Sequence, residues 1–255
     1  MMRVIRAAIV WTVALNVGLH CATAQQTEGR QPAVPLDQYI RENYTKQEHM
    51  IPMRDGVKLY TAVYIPKATD QKWPIIIKRT PYSCAPYGPE KMPGSLGPSE
   101  HFARAGYIVV NQDVRGRFLS EGQFEQVRPH LTVKNGPQDI DESTDAWDTI
   151  EWLTKNIPGH NGRVGMAGIS YPGFYASAGM IDAHPALVAV SPQAPVGDWY
   201  FDDFLHHGAF FLAHAFRWLN NNAQERRGPS TERPAANLVP SADGYHMFLE
   251  AGTIS

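Results

Sequence analysis

With 255 residues, 43% of them hydrophobic and 19% charged, the chain can build one large domain, or one domain and part of another, and is too apolar for intrinsic disorder. A formal charge of −2 gives no electrostatic basis for holding nucleic acid.

Residues 1–24 read as a secretory signal peptide. Arg3 and Arg6 make a basic start, Ala7 to Leu19 is apolar but short for a bilayer span, and Ala22-Thr23-Ala24 is a small-residue cleavage site. Asn16, Gly18 and His20 interrupt the apolar run, which argues against a retained membrane anchor. A periplasmic or secreted location is therefore expected, without membrane attachment after cleavage. Cys21 leaves with the signal, so Cys84 remains alone and no intrachain disulfide is expected. Cys84 has no neighbour in sequence that would lower its thiol pKa, and it reads as a small filler residue.

Residues 25–36, with Pro32 and Pro35, read as a linker. Met50 to Ile65 then predicts two strands joined by an Asp55-Gly56 turn. Pro74-Ile-Ile-Ile-Lys78 and Tyr107-Ile-Val-Val-Asn111 are apolar runs suited to strands covered on both faces, with a short helix from Pro98 to Ala105 between them. A stronger helix is predicted over 139–157. Asp139, Asp141, Glu142 and Asp145 crowd its start, where the helix dipole favours anions, and Pro158-Gly159 stops it. A strand over 163–168, a helix over 172–182 and a strand over 186–190 follow. This alternation predicts an α/β, doubly wound, mostly parallel sheet spanning residues 37–198. From Trp199 to Phe216 the chain turns aromatic with helical spacing. Residues 220–242 are polar and proline-rich, and a short helix is expected near 243–251. Residues 199–255 read as the start of a helical cap.

Within Gly168-Ile-Ser-Tyr-Pro-Gly173, Ser170 stands at a corner between strand and helix. Such a corner exposes a serine hydroxyl as a nucleophile at the carboxyl edge of a sheet. Glycines at 168 and 173 keep Cβ atoms out of the turn. The same residues also suit a plain strand-to-helix turn carrying a surface serine. A serine hydrolase further needs oxyanion donors, a base and an orienting acid. The Tyr171 N–H, one residue on, is placed to donate to an oxyanion. Tyr82, in the loop Arg79-Thr-Pro-Tyr-Ser83, can donate through its phenol or be a half-buried loop aromatic. No downstream histidine is assigned as base. His184, in Ala-His-Pro, reads as packing or capping, and His206, His207, His214 and His246 fall in the cap. Asp113-Val-Arg-Gly116 reads as a salt-bridged loop. No histidine cluster, Cys-x-x-Cys or phosphate loop appears, so no metal or other cofactor is implied.

Met53-Arg-Asp-Gly-Val57, Arg79-Thr-Pro-Tyr82, Asp113-Val-Arg-Gly116 with Ser120-Glu-Gly122, Thr144-Asp-Ala-Trp-Asp148 and Gly168-Ile-Ser-Tyr-Pro-Gly173 occur in that order. Together they resemble the cocaine esterase and X-Pro dipeptidyl-peptidase-like hydrolases, over roughly residues 36–255. The stretches Asn161 to Met166, His184 to Leu187 and Asp202 to Phe210 look most like α-amino-acid ester hydrolases and cephalosporin acylases. The resemblance implies an α/β-hydrolase fold and an acyl-enzyme on Ser170, with Tyr171 N–H and Tyr82 O–H forming the oxyanion hole. It also implies that Asp203 belongs to a carboxylate cluster holding a substrate ammonium. The partner carboxylates of that cluster are not found, and Pro172 stands where an acidic residue is expected. The catalytic Asp and His are expected beyond residue 255, which would leave this chain inactive alone. The expected function is hydrolysis of esters or amides, preferably α-amino acyl esters, with transfer to β-lactam nuclei. The alternatives are an X-Pro dipeptidyl peptidase or general esterase, and a non-catalytic, ligand-binding fragment. The partner implied is a small-molecule acyl ester or amide, with a homo-oligomer of the full-length form as a further expectation.

Overall fold

The computed structural model describes residues 34–198, 200–201, 203–222, 228–233 and 244–252. The expected signal peptide and most of the expected 25–36 linker lie outside these residues. The end of that linker is instead helical. Helix α1 spans Leu36–Asn43, with Ile40 fully buried and an Arg41–Asp37 pair across one turn.

Strands β1 (Tyr44–Pro52) and β2 (Lys58–Pro66) pair antiparallel around the Asp55-Gly56 turn, in register from Tyr44 opposite Pro66 to Pro52 opposite Lys58. The first strand begins earlier than its alternation suggests. Strand β3 (Trp73–Thr80) contains the Ile75-Ile-Ile77 run and is followed by the short helix α2 (Glu100–Arg104) and strand β4 (Ile108–Asp113). Helix α3 (Glu142–Asn156) is capped by Asp141, whose carboxylate accepts from Thr144 N while the Thr144 hydroxyl faces Asp141 N. Strand β5 (His160–Ile169), helix α4 (Tyr171–Gly179) and strand β6 (Leu187–Gln193) complete the alternation.

The sheet order is β1-β2-β4-β3-β5-β6. Strands β4, β3, β5 and β6 run parallel, and β1 and β2 are antiparallel at one edge. One face packs Ile75, Ile77, Val164 and Met166 against Ala146, Ile150 and Leu153 of α3 and Ala176 of α4. The other face packs Tyr64, Ile76, Val109 and Ala167 with Ile40 of α1, Ala103 of α2, Cys84 and Leu96. Fully burying one such aliphatic side chain stabilises by roughly 1.5–3 kcal/mol, so these two layers dominate the fold. Cys84 is a free, buried thiol, and burial pushes its pKa up, as suits a filler residue.

Beyond β6 the structure is only partly helical where residues 199–216 showed helical spacing. Leu205–His206 (β7) and Ala209–Phe210 (β8) form a small hairpin. Its turn residues His207 and Gly208 have φ of +50° and +83°, which end any right-handed helix there. Helix α5 begins only at Leu212 and runs to Asn222, and α6 spans Gly244–Ala251. Among the described residues no helix is long and apolar enough to cross a membrane.

One charge lies deep in this framework. The Arg79 side chain is fully buried at the end of β3; it reaches Glu142 Oε2 at 3.0 Å, the Glu142 carbonyl at 2.9 Å, Gln112 Oε1 at 2.8 Å and Asp145 at 3.5 Å. Removing one partner of a buried ion pair leaves the other uncompensated. Arg79→Ala is therefore expected to lower the unfolding free energy by about 3–5 kcal/mol, measured by urea denaturation. A loss below about 1 kcal/mol would contradict a structural role.

Candidate active site

The order β4-β3-β5 places a topological switch between β3 and β5, because the chain leaves β3 toward β4 and returns on its other side as β5. Open α/β sheets bind ligands beyond the carboxyl ends of their strands at such a point. Two sequence-predicted residues stand there. Ser170 follows β5, and Tyr82 follows β3.

Ser170 has φ +62° and ψ −126°, a backbone conformation that costs an L-residue about 1–3 kcal/mol. Its N–H donates to Gln193 O at 3.0 Å, at the end of β6, and its carbonyl accepts from Phe174 N at 3.0 Å. The corner is closed by two close approaches. A Cβ on Gly168 would lie 2.1 Å from Pro172 O, and one on Gly173 would lie 2.6 Å from Gln193 O. Gly173 therefore sits five residues after Gly168 because that is where the first turn of α4 meets β6. Ser170 is exposed, while Tyr171, Pro172 and Gly173 are buried. As the first residue of α4, Tyr171 has an N–H with no carbonyl one turn back inside the helix, and the helix dipole makes that end attractive to negative charge.

The Tyr171 ring lies in a third apolar cluster with Val114, Tyr175, Tyr82, Phe124, Phe174 and Trp218. Its hydroxyl accepts from Val127 N at 2.7 Å and donates to Gln126 Oε1 at 3.0 Å. Burial pushes this phenol up to about 12, so it stays neutral. Tyr82 meets Tyr171 edge to face, with ring centroids 6.2 Å apart. The two predicted oxyanion residues are thus brought together, though the contact shown is between rings.

The loop carrying Tyr82 is fastened from below. Asp113, buried at the end of β4, accepts from Cys84 N at 2.8 Å and from the Tyr87 hydroxyl at 2.9 Å. Thr80 Oγ1 accepts from Tyr82 N at 3.1 Å. Arg115 forms ion pairs with Asp55 at 2.6 Å and Asp145 at 2.7 Å, so the Asp113-Val-Arg-Gly116 segment is a salt-bridged loop. Burial raises Tyr82 above the ordinary phenol range, and nearby Asp203 pushes the same way.

Asp203 lies before the β7–β8 hairpin with φ +59°, half-buried, 3.9 Å from His214 Nε2. It lines a cavity of about 650 Å³ with His206, Phe210, Phe211, Leu212 and His214. It is not the cap of a helix. A second cavity, of about 340 Å³, adjoins the corner itself, lined by Gly168, Ile169, Pro172, Gln193 and Pro98 among others.

Among the described residues no histidine hydrogen-bonds to Ser170. His184 instead faces Glu151 at 2.9 Å behind α3. Sequence reasoning missed Trp218, whose indole donates to the Tyr82 hydroxyl at 3.3 Å, and Arg117, which donates to Pro81 O at 3.0 Å. The only sequence signal for Trp218 is its place in an aromatic stripe, and Arg117 has none.

Residues 55–250 match the sequence profile of the X-Pro dipeptidyl-peptidase (S15) family. The cocaine esterase of Rhodococcus sp. (strain MB1 Bresler) is 34% identical over 156 residues, which are 59% of this chain and 24% of that one. Two solved structures each cover 91% of this chain and 37% of their own. One is an aminopeptidase from a marine sediment Thaumarchaeota archaeon, at 36% identity and TM-score 0.69. The other is an α-amino acid ester hydrolase, at 37% identity and TM-score 0.68. The matched region thus spans 24% to 37% of the length of these relatives. The fold is that of α/β hydrolases.

Two outcomes follow from the geometry. Gly173→Ala forces a Cβ against the Gln193 carbonyl and is expected to destabilise by about 1–3 kcal/mol, read from urea midpoints; an unchanged midpoint would show that the corner is slack. Burial also pushes Asp113 from its ordinary 3.8 up to about 6, against the donors from Cys84 and Tyr87. Since the folded pKa is the higher one, the protonated group adds stability that is complete below about pH 4 and lost as pH rises through about 6. The wild-type advantage over Asp113→Asn in urea should therefore shrink from pH 4 to pH 7. A constant difference would contradict this.

Proposed function

The chain belongs to the X-Pro dipeptidyl-peptidase (S15) family of serine hydrolases, and we propose that Ser170 is the nucleophile through which its protein cleaves esters or amides. The observation that carries the reading is the backbone of Ser170, strained and exposed between two glycines that admit no side chain. Strain of this kind persists where the surrounding packing enforces it, and it clusters at active sites.

In this reading the Ser170 hydroxyl attacks the acyl carbon and its proton passes to a base. The carbonyl oxygen gathers charge and accepts from the Tyr171 N–H and the Tyr82 O–H. The leaving group departs with a proton, and water then releases the acyl group. A neutral phenol is required of Tyr82, and its raised pKa keeps it so. Since no histidine hydrogen-bonds to Ser170 among the described residues, the acid and histidine of the triad are proposed to lie outside them.

The proposed substrate is a small α-amino acyl ester, with transfer to a β-lactam amine when that amine replaces water. Likeness to an α-amino acid ester hydrolase over 91% of the chain supports this. Asp203 is the proposed partner of the substrate ammonium, because a half-buried ammonium needs an anion. Residues 1–24 are proposed to direct export. A second reading, X-Pro dipeptidyl peptidase activity, is favoured by the family match over residues 55–250.

In the full-length protein, Ser170→Ala should abolish labelling by a fluorophosphonate probe and all ester hydrolysis; a full-length wild type with unlabelled Ser170 would favour a non-catalytic, ligand-binding role. Preference for an Ala-Pro anilide over phenylglycine methyl ester would overturn the substrate assignment in favour of the second reading. Tyr82→Phe is expected to lower kcat about 10²–10³-fold. Asp203→Asn should raise KM for phenylglycine methyl ester about tenfold and leave p-nitrophenyl acetate turnover unchanged. Equal effects on both esters would remove Asp203 from the site.

A further inference from the structure

We propose that Trp218 is the positioning residue of the oxyanion site, its single indole holding Tyr82 and Tyr171 at once. This rests on the roles given to those two residues above.

Trp218 lies on α5, about two helical turns beyond the hairpin and far from either tyrosine along the chain. Its ring stacks on Tyr171, with centroids 6.0 Å apart and planes at 18°. Phe204 closes on it edge to face at 5.6 Å. Its Nε1 lies 3.3 Å from the Tyr82 hydroxyl oxygen.

That last contact has only one possible polarity. An indole nitrogen donates and cannot accept. Tyr82 must therefore receive the bond on a lone pair, and its own hydrogen cannot be directed at Trp218. The phenol is left to donate elsewhere, and the indole dipole makes it a stronger donor by polarising the oxygen. The same bond pulls the Tyr82 pKa down against the upward push of burial.

The backbone on both sides of the contact is tied by one guanidinium. Arg117 Nε donates to Pro81 O at 3.0 Å, one residue before Tyr82, and Nη1 donates to Asn222 O at 2.9 Å. Asn222 Nδ2 in turn donates to Trp218 O at 3.0 Å. Tyr82, Pro81, Arg117, Asn222 and Trp218 thus close a ring of covalent and hydrogen bonds. The ring fixes where the indole N–H points and joins α5 to the loop after β3.

Trp218→Phe keeps an aromatic face and removes the N–H. Tyr82, observed through its ¹³Cζ resonance and assigned with Tyr82→Phe, should then titrate at higher pH than in wild type. Acylation of Ser170 should slow about three- to tenfold, the worth of one neutral hydrogen bond, with KM unchanged. In a Tyr82→Phe background the same change should add no further loss. An unmoved Tyr82 titration, or losses that simply add, would overturn the role of Trp218 while leaving Ser170 as nucleophile. Absent labelling of Ser170 in the full-length wild type would instead remove the nucleophile assignment and the oxyanion role with it, and the titration would then judge the indole–phenol bond alone. Should Trp218→Phe fail to fold, β-(3-benzothienyl)alanine at position 218 keeps the shape, replaces the N–H by sulfur and yields the same readouts.

Discussion

Arg79 carries a permanent charge buried away from the surface, and much of the molecule is arranged to answer it. The guanidinium is held by Glu142 and Asp145 from the first turn of α3, by Gln112 from β4, and it lies 5.6 Å from the Tyr175 ring of α4. Gln112 extends the polar layer to Thr61 at 3.0 Å and Thr149 at 2.8 Å. Asp145 is shared with Arg115, which also holds Asp55 in the β1–β2 turn. Such a network is weak evidence for net stability, since its desolvation cost is large. Its geometric demand is strict. Helix α3 can dock on the sheet only with its acidic first turn over Arg79, and α4 must present Tyr175 to the same charge.

That demand bears on the site because Arg79 begins the segment that carries Tyr82. The end of β3 is anchored from the α3 face by ion pairs and from the other face by Asp113, which grips Cys84 and Tyr87. The corner at Ser170 is anchored differently, by steric exclusion at Gly168 and Gly173 and by the hydrogen bond to the end of β6. One side of the site is therefore set by electrostatics and the other by packing. Trp218 spans the two, since it touches Tyr82 and Tyr171 together.

The parallel strands were legible because burial on both faces leaves uninterrupted runs such as Ile75-Ile-Ile77 and Ile108-Val-Val110. The helix over 142–156 was legible because its capping residues sit beside it in sequence. Ser170 stood out because a strained corner requires small neighbours at fixed offsets. The hairpin over 205–210 was not legible. Its aromatic spacing suits a helix, and the outcome was decided by positive φ at His207 and Gly208. Helix α1 was hidden behind Pro35, since its formation rests on burying Ile40 in the tertiary structure. Arg117 and Trp218 were invisible for a simpler reason. Their partners lie 36 and 136 residues away, and no local pattern encodes such contacts.

The backbone at position 170 has a further meaning for how this protein divides its free energy. With φ +62° and ψ −126°, the residue that fits the corner with least strain is glycine, and the chain holds serine. The fold is thus less stable than its own backbone path would allow, by about 1–3 kcal/mol at a single residue. That deficit is drawn from the margin supplied by the two apolar layers and is a substantial share of the total for a domain of this size. Seen this way, the surrounding rigidity serves less to make the protein stable than to hold Ser170 in a conformation that an L-residue rarely adopts.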